Sequence, residues 1–206
     1  MILLLAAALA VPAEQAAAPK CSYTYTVWNV KAKKSLIRKT VSKAYGELTP
    51  SEKGPLGCTP CVEDQQEVVL SNGLKFQACK KAAEPVRKAL EAALAKGQKI
   101  VSVLGYRAQM SKGAADKDGN RTELSNHAFG TAVDLNEEHN GLYENCISWG
   151  PKCRLRKGGK YRPGADPLSL TKESPALAEL KAAGFEWGGK IEGRQKDFMH
   201  FSPTGY

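Results

Sequence analysis

The chain has 206 residues, 42% hydrophobic and 25% charged, the composition of an ordinary globular protein with room for one domain and an extension, or two small domains. Lys and Arg outnumber Asp and Glu by 30 to 21, a formal charge of +9. That excess favours an anionic partner but does not choose among nucleic acid, membrane surface and acidic wall polymer.

The N-terminal "MILLLAAALAVPAEQAAAP" places an apolar run, Ile2 to Val11, before small residues and proline. The run is shorter than the ~20 residues that span a bilayer. It reads as a secretory signal peptide over residues 1–18, with small-x-small cleavage points ending at Ala10, Ala13 or Ala18. The chain is therefore expected to be secreted or periplasmic, without a membrane span. Its six cysteines, Cys21, Cys58, Cys61, Cys79, Cys146 and Cys153, all lie beyond this segment, and an even count in an exported chain suggests disulfides. Cys146 and Cys153 are expected to pair, with the other four stapling the N-terminal part. "CTPC" as a redox or zinc motif is the weaker alternative, since no second CxxC and no βαβ pattern accompanies it.

Residues 19–80 read as a cysteine-containing extension. "CSYTYTVWNV" alternates like a strand, "KAKKSLIRKTVSK" reads as a solvated basic face, and "TPSEKGPLGCTPC" as loop. "EVVLSNGLKFQAC" predicts a hairpin whose Asn72-Gly73 suits a type I′ turn. Val86, Leu90 and Leu94 recur at helical spacing, with Gly97 where a C-cap belongs. Ile100 to Leu104 predicts a buried strand ending at Gly105-Tyr106-Arg107. Ala108 to Leu124 reads as loop or a short irregular helix, "GTAVDLN" as a second strand, and Glu137 to Leu170 as a long loop. Ser174 is expected to cap a helix with Pro175 at its first position and Gly184 as its stop. "FEWGG" and "DFMHFSP" end the chain as strand or turn pieces. The predicted class is α+β, a small antiparallel sheet with a few helices.

The chemistry gathers in "SNHAFGTAVDLN". Asp134 sits within an apolar strand, where a carboxylate is costly unless it is paired or bound to metal. His127 precedes Gly130, whose turn would fold the imidazole towards the strand end. His200 lies in a second apolar run, Phe198-Met199-His200-Phe201. Two histidines and one aspartate match the three protein ligands of a catalytic zinc. Asp197, three residues before His200, would serve as general base towards a water whose pKa the metal lowers to ~7. Arg107, after a strand and a glycine, is a fixed cation for an oxyanion or a substrate carboxylate, or else a solvated loop arginine. His139, in the polar "NEEHNG", reads as a surface residue.

Together these blocks resemble a known family. "SNHAFGTAVD" is similar to the S-x-H-x-x-G-x-A-x-D signature of the zinc peptidases that include D-alanyl-D-alanine carboxypeptidases and L-alanyl-D-glutamate endopeptidases. "GFEWGG…KDFMHF" resembles the C-terminal signature and "GYR" the arginine-bearing segment upstream, over about Ile100 to Ser202. The resemblance implies a zinc peptidase domain at 81–206, with an antiparallel sheet carrying the metal in a cleft. It implies His127, Asp134 and His200 as zinc ligands, Asp197 as general base and Arg107 as the cation beside the scissile carbonyl. Ser125 matches the signature serine, near substrate or as a turn cap. Asp at 197 and the Trp187-Gly188-Gly189 run resemble the endopeptidase branch more than the vancomycin-resistance branch. Implied partners are peptidoglycan stem peptides, with anionic wall polymer as a further partner of the basic "PKCRLRKGGKYR". Nucleic acid is not expected. A zinc-stabilised binding module without catalysis, as in hedgehog-type domains, is the alternative.

Overall fold

The computed structural model describes residues 19–206; the expected signal peptide lies outside the described residues. The chain opens with a long antiparallel hairpin, β1 (Lys20–Asn29) and β2 (Lys34–Ala44). Cys21, Tyr23 and Val27 of β1 turn inward at alternate positions, while the basic β2 is largely exposed, the solvated face its composition predicts. Four 3-10 turns follow between Tyr45 and Asp64. A second hairpin, β3 (Gln65–Val69) and β4 (Lys75–Cys79), runs directly into α1 (Lys80–Ala95). Then come β5 (Val103–Leu104), β6 (Gln109–Ala115), β7 (Arg121–Leu124), β8 (Val133–Leu135), β9 (Leu142–Glu144) and β10 (Arg154–Lys157). The chain closes with α2 (Pro175–Ala182), β11 (Glu186–Trp187), β12 (Gln195–Asp197) and β13 (His200–Ser202).

This is an α+β fold of small sheets. One has the order β2-β1-β6-β7, a second β10-β9-β12, and a third, β11-β13-β8-β5, is antiparallel throughout. Strand β8 lies inside the third sheet, and its residues Val133, Asp134 and Leu135 are all buried. Both helices pack beside it. Ala82, Val86, Ala89, Leu90 and Ala93 of α1 share one core with Leu177 and Leu180 of α2 and with Val133, Leu135 and Phe201. Gly97 and Gly184, at φ 81° and 87°, end the two helices in the left-handed conformation expected of them.

Several sequence expectations need correction. The β3–β4 turn is not type I′: Gly73 has φ 85° but Asn72 is not left-handed, and Gly73 N–H donates to Leu70 O at 2.9 Å. This is a type I turn followed by a glycine bulge, which the three-residue loop Ser71-Asn72-Gly73 accommodates. Ala108 to Leu124 is not loop or helix but the β6–β7 hairpin, whose polar sequence suits a sheet exposed at its edge. The Glu137–Leu170 loop contains β9 and β10, again short and polar. Only Val103–Leu104 of the Ile100–Leu104 run forms strand, and within that run only Ile100 is buried. Ser174 precedes α2 as expected, but its hydroxyl accepts from Thr171 N–H at 2.9 Å instead of capping the helix.

The three disulfides are Cys21–Cys61, Cys58–Cys79 and Cys146–Cys153. The last is the expected pair. The two cysteines of "CTPC" enter different bridges, which removes the redox or zinc reading of that motif. Cys58–Cys79 ties the CTPC loop to the start of α1, and further contacts reinforce the tie. Tyr106 OH donates to Pro60 O at 2.7 Å, Tyr106 N–H to Gln77 O at 2.7 Å, and Cys79 N–H to Gly130 O at 2.9 Å. Replacing Cys58 and Cys79 by serine opens a bridge of sequence separation 21. On chain-entropy grounds this should cost about 3 kcal/mol, read as a lower guanidinium midpoint. An unchanged midpoint would show that the bridge does not constrain the unfolded chain.

Candidate metal centre

Strands β8 and β13 pair in a register that sets Asp134 directly opposite His200. Side chains at directly opposed positions share a face, so the carboxylate and imidazole meet without any loop to aim them. His127 comes from the 3-10 turn Asn126–Phe129, which stops at Gly130 with φ 65°. A side chain at 130 would be strained, and its Cβ would strike the backbone of Cys79 and the side chain of Gln65. The sequence GTAVD thus turns sharply enough to bring His127 over Asp134.

Three atoms converge. His127 Nε2 is 3.0 Å from Asp134 Oδ1 and 3.1 Å from His200 Nδ1, and His200 Nδ1 is 3.0 Å from Asp134 Oδ1. All three residues are buried. The second nitrogen of His127, Nδ1, lies 2.8 Å from Gly105 O; a carbonyl only accepts, so Nδ1 carries the proton and the Nε2 lone pair faces the centre. Ligand atoms on a tetrahedral zinc with ~2.0 Å bonds lie about 3.3 Å apart, close to the sides of this triangle. Two imidazoles and a carboxylate are also the donor set that zinc accepts in catalytic sites. The residues present fit that ion. Among the described residues the other cluster with metal-ligand atoms close together is Cys21, Cys61 and Glu63, whose cysteines are consumed in a disulfide.

The electrostatics separate the two aspartates. Burial opposes the charge of Asp134, but His127 and His200 outweigh it and hold the carboxyl well below its usual range. Burial pushes His127 down, towards its neutral, ligating form. His200 is pulled up despite burial, chiefly by its hydrogen bond to Asp134. Asp197 behaves oppositely: burial raises its pKa to about 7, with the negative charge of Asp134 adding to the effect. Its Oδ1 is buried without a hydrogen-bond partner in the protein.

Arg107 is not a free loop arginine. Its backbone N–H donates to His127 O at 3.1 Å and its Nη2 to Asp134 Oδ2 at 3.0 Å, while Nη1 is buried and unpartnered. Ser125 precedes the 3-10 turn but its hydroxyl makes no capping bond and is likewise buried without a partner. His139 departs from the expected surface role: it is partly buried and bonds Asp166 at 2.8 Å, fastening the long loop. Sequence reasoning missed the Gly105 carbonyl that selects the His127 tautomer. It also missed Trp187 Nε1–H, which donates to Phe198 O at 2.8 Å between Asp197 and His200. The tryptophan was visible; its backbone target was not.

Residues 118–203 match the family model described as D-alanyl-D-alanine carboxypeptidase. The match supports the resemblance carried by the motifs and spans Ser125, His127, Asp134, Asp197 and His200; Arg107 and the N-terminal half lie outside it. No curated protein and no solved structure matches the chain.

Zinc added to metal-free protein should raise its melting temperature, by about 2.7 kcal/mol of stability at a hundredfold excess over Kd. Affinity should fall as pH falls, because the ion competes with protons for the imidazoles. Asp134→Ala should lose the shift, and a shift retained there would place the ion elsewhere. A second expectation concerns Asp197 without metal. Its raised pKa means the folded state holds a proton that the unfolded chain releases, so stability falls as pH rises from about 4 towards about 7. Asp197→Asn should therefore melt higher than the parent, by a margin that widens across that window and then levels. A constant margin would contradict the raised pKa.

Proposed function

We propose, taking as premise the match of residues 118–203 to the D-alanyl-D-alanine carboxypeptidase family, that this protein is an exported zinc peptidase that hydrolyses an amide bond in peptidoglycan stem peptides. The observation that carries this reading is the pairing of a three-ligand cluster with a neighbouring acid, Asp197, whose Oδ1 is buried without a hydrogen-bond partner. The three disulfides suit an oxidising compartment and so support export.

His127, Asp134 and His200 would hold the ion. Zinc bound there supplies Lewis acidity, which lowers the pKa of a water towards ~7 and polarises a carbonyl. Asp197 is the general base: its free Oδ1 takes a proton from the attacking water and later delivers it to the departing amine. A carboxylate held there would shuttle the proton between the two steps. Arg107 Nη2 holds Asp134, which leaves the buried Nη1–H free to donate to the scissile carbonyl oxygen as negative charge develops on it. The Ser125 hydroxyl, buried without a partner in the protein, would bind the substrate backbone. A non-catalytic zinc module has no use for an uncompensated carboxylic acid beside its ligands, which favours the enzyme.

Mass spectrometry of defined muropeptides incubated with zinc-loaded protein identifies the bond that is cut. Asp197→Asn should lower kcat at least ~100-fold while zinc content stays at that of the parent. Full turnover in that variant would remove Asp197 from its role.

A further inference from the structure

In the β10-β9-β12 sheet, Leu155, Tyr143 and Lys196 form one cross-strand row, with Tyr143 and Lys196 buried and Leu155 exposed at the edge. The rows on either side, Lys157–Leu142–Asp197 and Arg154–Glu144–Gln195, belong to the opposite face because side chains alternate. Unbroken alternation from Arg154 would turn Lys157 to the face of Leu155, away from Asp197. A β-bulge between Leu155 and Lys157 absorbs one residue, so Arg154, Arg156 and Lys157 all reach the Asp197 face. The contacts agree. Arg154 hydrogen-bonds Glu144, Arg156 forms a looser ion pair with it at 3.7 Å, and Lys157 lies 3.0 Å from Glu137. Three cations therefore meet two carboxylates on a face that leads to Asp197. Arg154 grips Glu144 through both Nε and Nη2, whereas Arg156 and Lys157 hold their acids through single exposed contacts. Such contacts exchange readily.

We propose that this face is the substrate wall of the site, and that Arg156 and Lys157 bind a carboxylate borne by an acidic peptide beside its scissile bond. The proposal rests on the peptidase reading above and names the substrate feature that selects for that site. The bulge is its structural cause, because without it Lys157 would lie on the face of Leu155, opposite the one that carries Asp197.

The test uses two synthetic stem peptides that differ only in one side-branch carboxylate, free in one and amidated in the other. The zinc-loaded parent should show a KM about fivefold to tenfold higher for the amidated peptide, a ratio that shrinks in high salt. The Arg156→Gln, Lys157→Met double variant should treat the two peptides alike. An equal ratio in parent and variant, or no ratio in the parent, overturns the proposal. Calorimetric binding of both peptides to the zinc-loaded Asp197→Asn protein separates this from failure of the peptidase reading. Carboxylate-dependent binding that the double substitution abolishes, with no cleavage by the parent, would sink the peptidase reading and leave the wall intact. Binding indifferent to the carboxylate would sink the wall.

Discussion

A buried carboxylate in the middle of a sheet constrains everything around it. Asp134 lies on β8 between two hydrogen-bonded neighbours, away from water, and its ionised form persists because two imidazoles and a guanidinium meet it there. Each partner comes from a different part of the chain. His200 is delivered by strand register, His127 by a glycine-terminated turn, and Arg107 by the segment after β5. An ionised carboxylate without them would be prohibitively costly at that depth. The cluster is thus one electrostatic unit, and the fold is organised to bring its members within about 3 Å of one another.

The N-terminal half takes part in this organisation. Gly130, which ends the His127 turn, packs its backbone against Cys79 and Gln65, while Tyr106, next to Arg107, is hydrogen-bonded to both Gln77 and Pro60. The Cys58–Cys79 bridge links these two anchoring segments. Residues far ahead of the signature therefore hold its backbone in place. Two aspartates on strands of different sheets meet opposite fates in the result. Asp134, surrounded by cationic and protonable partners, stays charged; Asp197, whose Oδ1 is buried without a partner, has its pKa raised to about 7 in the metal-free protein. Divergent environments of this kind assign different chemical roles to like residues.

Much of this was legible in the residues. Asp134 and His200 stood out because a polar side chain in an apolar run needs a reason, and burial supplies it. The helices were legible from their periodicity and closing glycines. Less legible were the short polar strands β6, β7, β9 and β10, whose sequences carry no alternation strong enough to distinguish them from loop. They become strands because neighbours offer hydrogen bonds, an effect of tertiary context on weak local preference. The type I turn at Ser71–Gly73 has the same lesson: Asn-Gly permits a type I′ turn, but strand pairing and loop length chose the other.

By itself, then, the sequence determined the chemical inventory: which residues are able to bind a metal, which acid stands near the last histidine, and that the cysteines suit disulfides. These follow from residue type and local spacing, which operate over a few ångströms of chain. Only the tertiary structure decided the pairing of Asp134 with His200, the tautomer of His127, the division of "CTPC" between two bridges, and the bulge that turns Lys157 towards Asp197. Each depends on which distant segment arrives opposite, and strand register is set by the packing of the whole core.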